Sequence, residues 1–160
     1  MPTAPRVLYA IADLKMGGAQ VGLARLLELG FLDPAETSIV VVGSRADTSA
    51  SRLLPGYDIP PRRDRWPLLA WARGAVTLAV SIWRQRPHIV ILSLDPTNIV
   101  GRLIRPLFPR SVFVAFEHSA HQGKPIYARL LRLLSGRIDA VLVDSGATAT
   151  AVRRLYRRPD

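Results

Sequence analysis

The chain has 160 residues, 49% hydrophobic and 21% charged, which suits one globular domain with its own core and excludes a disordered tail. It has no cysteine, so disulfides, thiolate metal sites and thiol nucleophiles are excluded, and three histidines (His88, His118, His121) leave little for a metal. The net charge of +10 rests almost wholly on arginine, since Lys15 and Lys124 are the two lysines. It points either to an anionic partner (nucleic acid, a phosphorylated small molecule, an anionic membrane surface) or merely to arginine-rich codon usage.

Met1–Pro5 is neutral and proline-bearing, and the strand-like run behind it is too short for a signal peptide, so a cytoplasmic protein is expected. A strand is predicted over Arg6–Ala12, then a loop, then a helical pattern over Ala19–Gly30. A second strand follows at Ser38–Gly43. Ser49–Arg65 is irregular, with Pro55, Pro60, Pro61 and the cluster Arg62–Arg63–Asp64–Arg65; it is expected as a surface loop, with a weaker strand at Tyr57–Ile59. Trp66–Trp83 is nearly all apolar and close to membrane-spanning length. Arg73 near its middle, diluted further by Gly74, Thr77 and Ser81, predicts a buried crossover helix over Pro67–Gln85 instead. Strands at His88–Ser93, Val112–Glu117 and Ala140–Asp144 then alternate with helices at Asn98–Leu107, Pro125–Ser135 and Ala147–Tyr156.

The strands read as continuous apolar runs, as strands covered on both faces do. Their alternation with helices predicts a single α/β domain: a doubly wound, mostly parallel Rossmann-like sheet with right-handed crossovers and helices on both faces. Such sheets take ligands beyond the carboxyl ends of their strands. The residues to inspect are therefore Asp13–Gly18, Gly43–Arg45, Leu94–Asn98, Glu117–Gly123 and Ser145–Thr148.

The first of these loops, Asp13 to Gln20, carries Gly17 and Gly18 and opens into a helix. Two glycines allow close backbone approach and positive φ, and a helix N-terminus favours an anion such as phosphate. The other reading is a tight turn. Neither the dinucleotide fingerprint nor a Walker loop is present. Glu117-His118-Ser119-Ala120-His121 is the densest polar cluster. His118 there is either a donor, shuttle or ligand, or an incidental loop histidine. A zinc pair of His118 and His121 lacks a third ligand, and no serine sits in a Gly-x-Ser-x-Gly elbow. His88 starts its strand, on the wrong edge for chemistry. The arginines of the last two helices, Arg129, Arg132, Arg153 and Arg154 with Arg157 and Arg158 beyond, form either an anion- or membrane-facing surface or a solvated one.

Four segments together resemble the N-terminal domain of family 4 glycosyltransferases, retaining enzymes of GT-B architecture. RVLYAIADLKMGGAQ (Arg6–Gln20) is similar to their first strand and Gly-Gly-Ala-Glu loop, and RPHIVILS (Arg86–Ser93) to their "kPDiVh" strand. Val112–Ser119 resembles the strand that ends in a histidine, and DAVLVDSGATATAVRRL (Asp139–Leu155) the segment that closes the domain. Gln20 stands where glutamate is usual, and Gly146 follows Ser145 where glutamate often does. The resemblance implies the acceptor-side half of a metal-independent enzyme, with a nucleotide sugar as co-substrate, no other cofactor, and a sugar or lipid-linked acceptor. The donor-binding domain or subunit would lie outside residues 1–160, leaving this chain inactive alone. His118 is the implied catalytic-cleft residue. Gly17, Gly18, Gln20, Asp95, Asn98, Glu117 and Ser145 are the expected substrate-binding set. Glu117 either orients the His118 ring or points into the opposite layer. A peripheral position on the inner membrane face is compatible with this reading.

Two other functions compete. A basic α/β module for nucleic acid is disfavoured because the tryptophans crowd into Trp66–Trp83, mostly away from the arginine clusters. A stand-alone nucleotide-binding domain lacks a well-placed acid after the second strand, Asp47 lying in a loop.

Overall fold

The computed structural model describes residues 5–43, 47–57, 59, 67–118 and 124–156. In chain order these form β1 (Val7–Ile11), α1 (Gly18–Glu28), β2 (Thr37–Val41), α2 (Pro67–Gln85), β3 (Ile89–Ser93), α3 (Asp95–Ile104), β4 (Val112–Glu117), α4 (Pro125–Leu133), β5 (Ala140–Val143) and α5 (Gly146–Tyr156). The sheet order is β2-β1-β3-β4-β5 and every pair is parallel. β1 lies inside the sheet and is wholly buried, with Tyr9 paired to Ile39 on one side and Ile91 on the other.

Alternate residues of each strand feed two cores. Tyr9, Ile11, Ile91 and Phe116 pack with Leu23 of α1 and with Leu54. Leu8, Ala10, Leu92 and Phe113 pack with Leu78 and Ile82 of α2 and Val100 of α3. The chain steps one way from β1 to β2 and the other way from β2 to β3. Right-handed crossovers therefore place α1 and α2 on opposite faces. The reversal leaves a topological switch point between β1 and β3, at their carboxyl ends.

Glycine sets the depth of the helical layer. A Cβ at Gly74 would overlap the Val42 carbonyl, and one at Gly101 would overlap the Leu92 side chain, so α2 and α3 press directly on the sheet. A smaller third core joins Leu131 of α4 to Val152, Leu155 and Tyr156 of α5.

Three expectations are corrected. Neither Tyr57 nor Ile59 belongs to a strand: the Tyr57 N–H donates to the Leu54 carbonyl and its hydroxyl to the Thr37 carbonyl at 3.1 Å, while Asp58 lies outside the described residues. The third helix begins at Asp95, not Asn98, because Pro96 occupies the first turn, where a missing N–H is harmless. The predicted buried helix over Pro67–Gln85 is buried along one stripe only: Ala70, Gly74, Leu78 and Ile82 face inward, while Leu69, Val76, Val80 and Trp83 face out. Among the described residues no helix is long and apolar enough to cross a membrane. The cluster Arg62–Arg63–Asp64–Arg65 falls outside them.

Candidate functional site

The loop after β1 is built by its own polar groups. The Lys15 N–H donates to Asp13 Oδ1 at 3.1 Å, an Asx turn, and the Met16 N–H donates to Ser49 Oγ at 3.0 Å. Gly17 then caps α1 with extended backbone (φ −172°), and no side chain caps the helix and no acid sits in its first turn. Neither Gly17 nor Gly18 has positive φ, so the conformational argument for these glycines fails; what remains is space. No atom lies within 4 Å of a Cβ built on Gly18, and at Gly17 the nearest is Gln20 Oε1, at 3.1 Å. Gln20 is buried, and its amide donates to the Asp13 carbonyl at 3.0 Å and to Asp13 Oδ1 at 3.3 Å. A glutamate could make neither bond, which accounts for glutamine at this position. Gln20 braces the loop from below.

This loop forms one wall of a cleft of about 340 Å³ at the switch point, lined by Lys15, Gly17, Gly18, Gln20, Leu94 and His118 among others. His118 follows β4 and its side chain is only 9% exposed. Its ring lies 4.0 Å from that of Phe116, centroid to centroid, and faces Gly22 of α1, where an added Cβ would make ordinary van der Waals contact, 3.7 Å from His118 Cε1. Both ring nitrogens face protein groups. Nε2 is 2.9 Å from Ser93 Oγ, and Nδ1 is 3.6 Å from Asp144 Oδ2. A carboxylate beside Nδ1 favours the proton there, leaving Nε2 to accept from the Ser93 hydroxyl. Burial lowers the His118 pKa below its ordinary value, with Asp144 pulling the other way, so the ring is neutral at pH 7. Below Ser93 lies Tyr9, whose phenol burial pushes up to about 12.

Asp144 is held in turn. Its Oδ1 accepts from the Thr148 hydroxyl at 3.0 Å, and the Ser145 hydroxyl takes the Thr148 N–H at 3.1 Å as the N-cap of α5. Ser145 thus caps a helix and steadies Asp144 through Thr148.

Three other expected substrate residues lie outside the cleft lining. Asn98 is fully buried; its amide donates to the carbonyls of Leu92 (3.1 Å) and Leu94 (3.3 Å), bracing the turn from β3 into α3. That turn needs bracing, because Leu94 has φ +73°, a conformation costing on the order of 1–3 kcal/mol outside glycine. Asp95 is half-buried in the first turn of α3. Glu117 points into the opposite layer: the Tyr156 hydroxyl donates to its Oε1 at 2.5 Å, and Arg102 lies 3.9 Å away. Arg102 is itself fully buried and donates to the Leu131 carbonyl at 2.8 Å and to Tyr156 at 2.7 Å. Burial raises the Glu117 pKa. This is a tie between β4, α3, α4 and α5, and it does not orient His118.

Arg129 and Arg132 lie exposed on α4, and Arg153 and Arg154 on α5; Arg132 Nε donates to the Leu155 carbonyl at 3.4 Å. Arg157, Arg158 and His121 lie outside the described residues. His88 sits at the amino edge, its Nδ1 accepting from the Arg6 N–H at 3.0 Å.

No protein-family profile matches the chain, and no curated protein does. Among solved structures it is similar to a Listeria monocytogenes protein described as a UDP-N-acetylglucosamine 2-epimerase. Identity is 18% and the TM-score 0.60, over 98% of this chain and 43% of that one. The fold is that of one GT-B-like half. The chain thus spans less than half the length of the protein it matches, and at this identity the likeness carries fold alone.

Within this GT-B-like half, the residues that sequence reasoning missed are those that fix His118. Ser93, Asp144 and Gly22 become its neighbours only once β3, β4, β5 and α1 are assembled. Ser93 and Asp144 each end or follow a predicted strand, and that position was the available signal.

Proposed function

We propose that this chain is the acceptor-side half of a retaining, metal-independent glycosyltransferase that uses a nucleotide-sugar donor. The observation that carries the reading is the meeting of His118 and the Gly17–Gly18 turn on one cleft at the point where strand order reverses. The uncapped start of α1, with Lys15 beside it, favours the donor's diphosphate or the polar edge of the transferred sugar. Gly18 leaves that approach open.

His118 positions substrate. The 3.6 Å between Nδ1 and Asp144 is wide for a direct hydrogen bond. A sugar hydroxyl that reaches the edge of the ring from the cleft can accept from Nδ1–H. Because Ser93 occupies Nε2 and burial keeps the ring neutral, the imidazole donates a hydrogen bond. Proton abstraction is left to the donor phosphate, as the family resemblance implies. A second domain would hold most of the nucleotide.

The neighbour's description as a UDP-N-acetylglucosamine 2-epimerase raises a second reading to be tested, in which the same cleft serves epimerisation at C2. One experiment separates them. The chain is joined to or mixed with a donor-binding domain and given labelled nucleotide sugars, with and without lipid and saccharide acceptors. Acceptor-dependent transfer that is lost in His118→Ala supports the first reading. Change at C2 without acceptor selects the second, and neither reaction, with the nucleotide bound, rejects both.

A further inference from the structure

α2 is apolar on two faces. Ala70, Gly74, Leu78 and Ile82, spaced four apart, meet the sheet side, but Val76 (63% exposed), Val80 (39%) and Trp83 (67%) form a second stripe facing out. Surface helices ordinarily put polar residues there, and helices apolar all round are ordinarily buried. At its C-terminal end the stripe meets a hollow of about 450 Å³ at the amino edge of the sheet, where Trp83 and the 70%-exposed Leu107 stand with Arg86 and Arg110. From Trp66 to Phe116 the sequence holds six arginines and one acid, Asp95, which lies at the other edge.

We propose that this face docks on an anionic lipid bilayer. Val76, Val80, Trp83 and Leu107 enter the boundary between headgroups and acyl chains, and Arg84, Arg86 and Arg110 meet lipid phosphates. An exposed apolar stripe on a basic helix has this chemistry, and an indole beside it suits the boundary, one side apolar and the other wet. A second copy of the chain fits less well, because a two-fold pairing would set these arginines against their own copies. Nucleic acid fits less well too: its partners offer polar surface, and here the contact residues are aliphatic with a single ring. The inference is independent of the cleft reading, since the face lies on the helical layer and the amino edge, away from His118.

The test is sedimentation of the whole chain with vesicles of phosphatidylcholine alone or mixed with phosphatidylglycerol. Binding is expected only with the anionic lipid, falling as salt rises, with a blue shift of tryptophan emission that Trp83→Phe abolishes. Replacing Arg84, Arg86 and Arg110 together by glutamine should lower partitioning roughly a hundredfold, and Val80→Asp should lower it independently. All are surface residues, so circular dichroism should stay that of the wild type. Failure to bind anionic vesicles, equal binding to neutral ones, or undiminished binding of both variants would overturn the proposal. A dimer in light scattering that Val80→Asp dissociates, without vesicle binding, would assign the face to a second copy.

Discussion

Ser93, the last residue of β3, stands 2.9 Å from Nε2 of His118, the residue after β4. With Asp144 3.6 Å from the other nitrogen, the imidazole lies between residues at the ends of three adjacent strands. A ring so held is a fixed donor, and its titration reports these neighbours.

Asp144→Asn should therefore lower the His118 pKa further below the ordinary histidine value, because it removes the charge that opposes burial. Histidine resonances followed by NMR across a pH titration check this. An unchanged pKa would show that Asp144 does not act on the ring.

The same shift links to stability. The folded-state pKa lies below the unfolded value of about 6.5, so the unfolded chain binds the proton more readily. The contribution is full above about pH 6.5 and is lost as pH falls through the folded value. His118→Gln should flatten that part of the stability curve, measured by urea midpoints between about pH 8 and pH 5. An unaltered slope would contradict the assignment.

The tie of Arg102, Glu117 and Tyr156 behaves as a unit. Arg102→Met leaves Glu117 buried without its cation and should cost roughly 3–5 kcal/mol in urea unfolding. Adding Glu117→Gln should recover much of the loss. An additive double variant would mean that the two charges do not interact.

Gly18 and Gly74 should respond oppositely to a side chain. A Cβ at Gly18 meets nothing, so Gly18→Val should fold with stability within about 0.5 kcal/mol of wild type and lose only what the cleft binds. Gly74→Ala drives a methyl into the Val42 carbonyl and should cost at least about 2 kcal/mol. Thermal unfolding of both variants checks the contrast.

The sheet was legible because local patterns define it. Val112–Glu117 and Pro67–Gln85 were read with their observed bounds, one from an apolar β-branched run and the other from a long apolar stretch opened by proline. Pro96 was harder: proline reads as a breaker, and only the first turn of a helix tolerates it. At the site, Gly17, Gly18 and His118 were placed by the rule that ligands meet strand ends. Asn98 and Glu117 lie near strand ends too, yet Asn98 braces the turn from beneath and Glu117 takes the second of its two expected orientations, into the opposite layer. Arg102 and Tyr156, 54 residues apart, show no local signature of their contact. The outward stripe of α2 was hidden by its own apolarity, which reads as burial on every side.

The most direct test of the proposed transfer is its rate with His118→Ala when the chain is combined with a donor-binding domain, beside His121→Ala as control. If His118 holds a sugar hydroxyl mainly in the transition state, kcat falls roughly 10²–10³-fold while the fold and the His121→Ala rate stay those of the wild type. A wild-type rate in His118→Ala, or a greater loss in His121→Ala, would contradict the account.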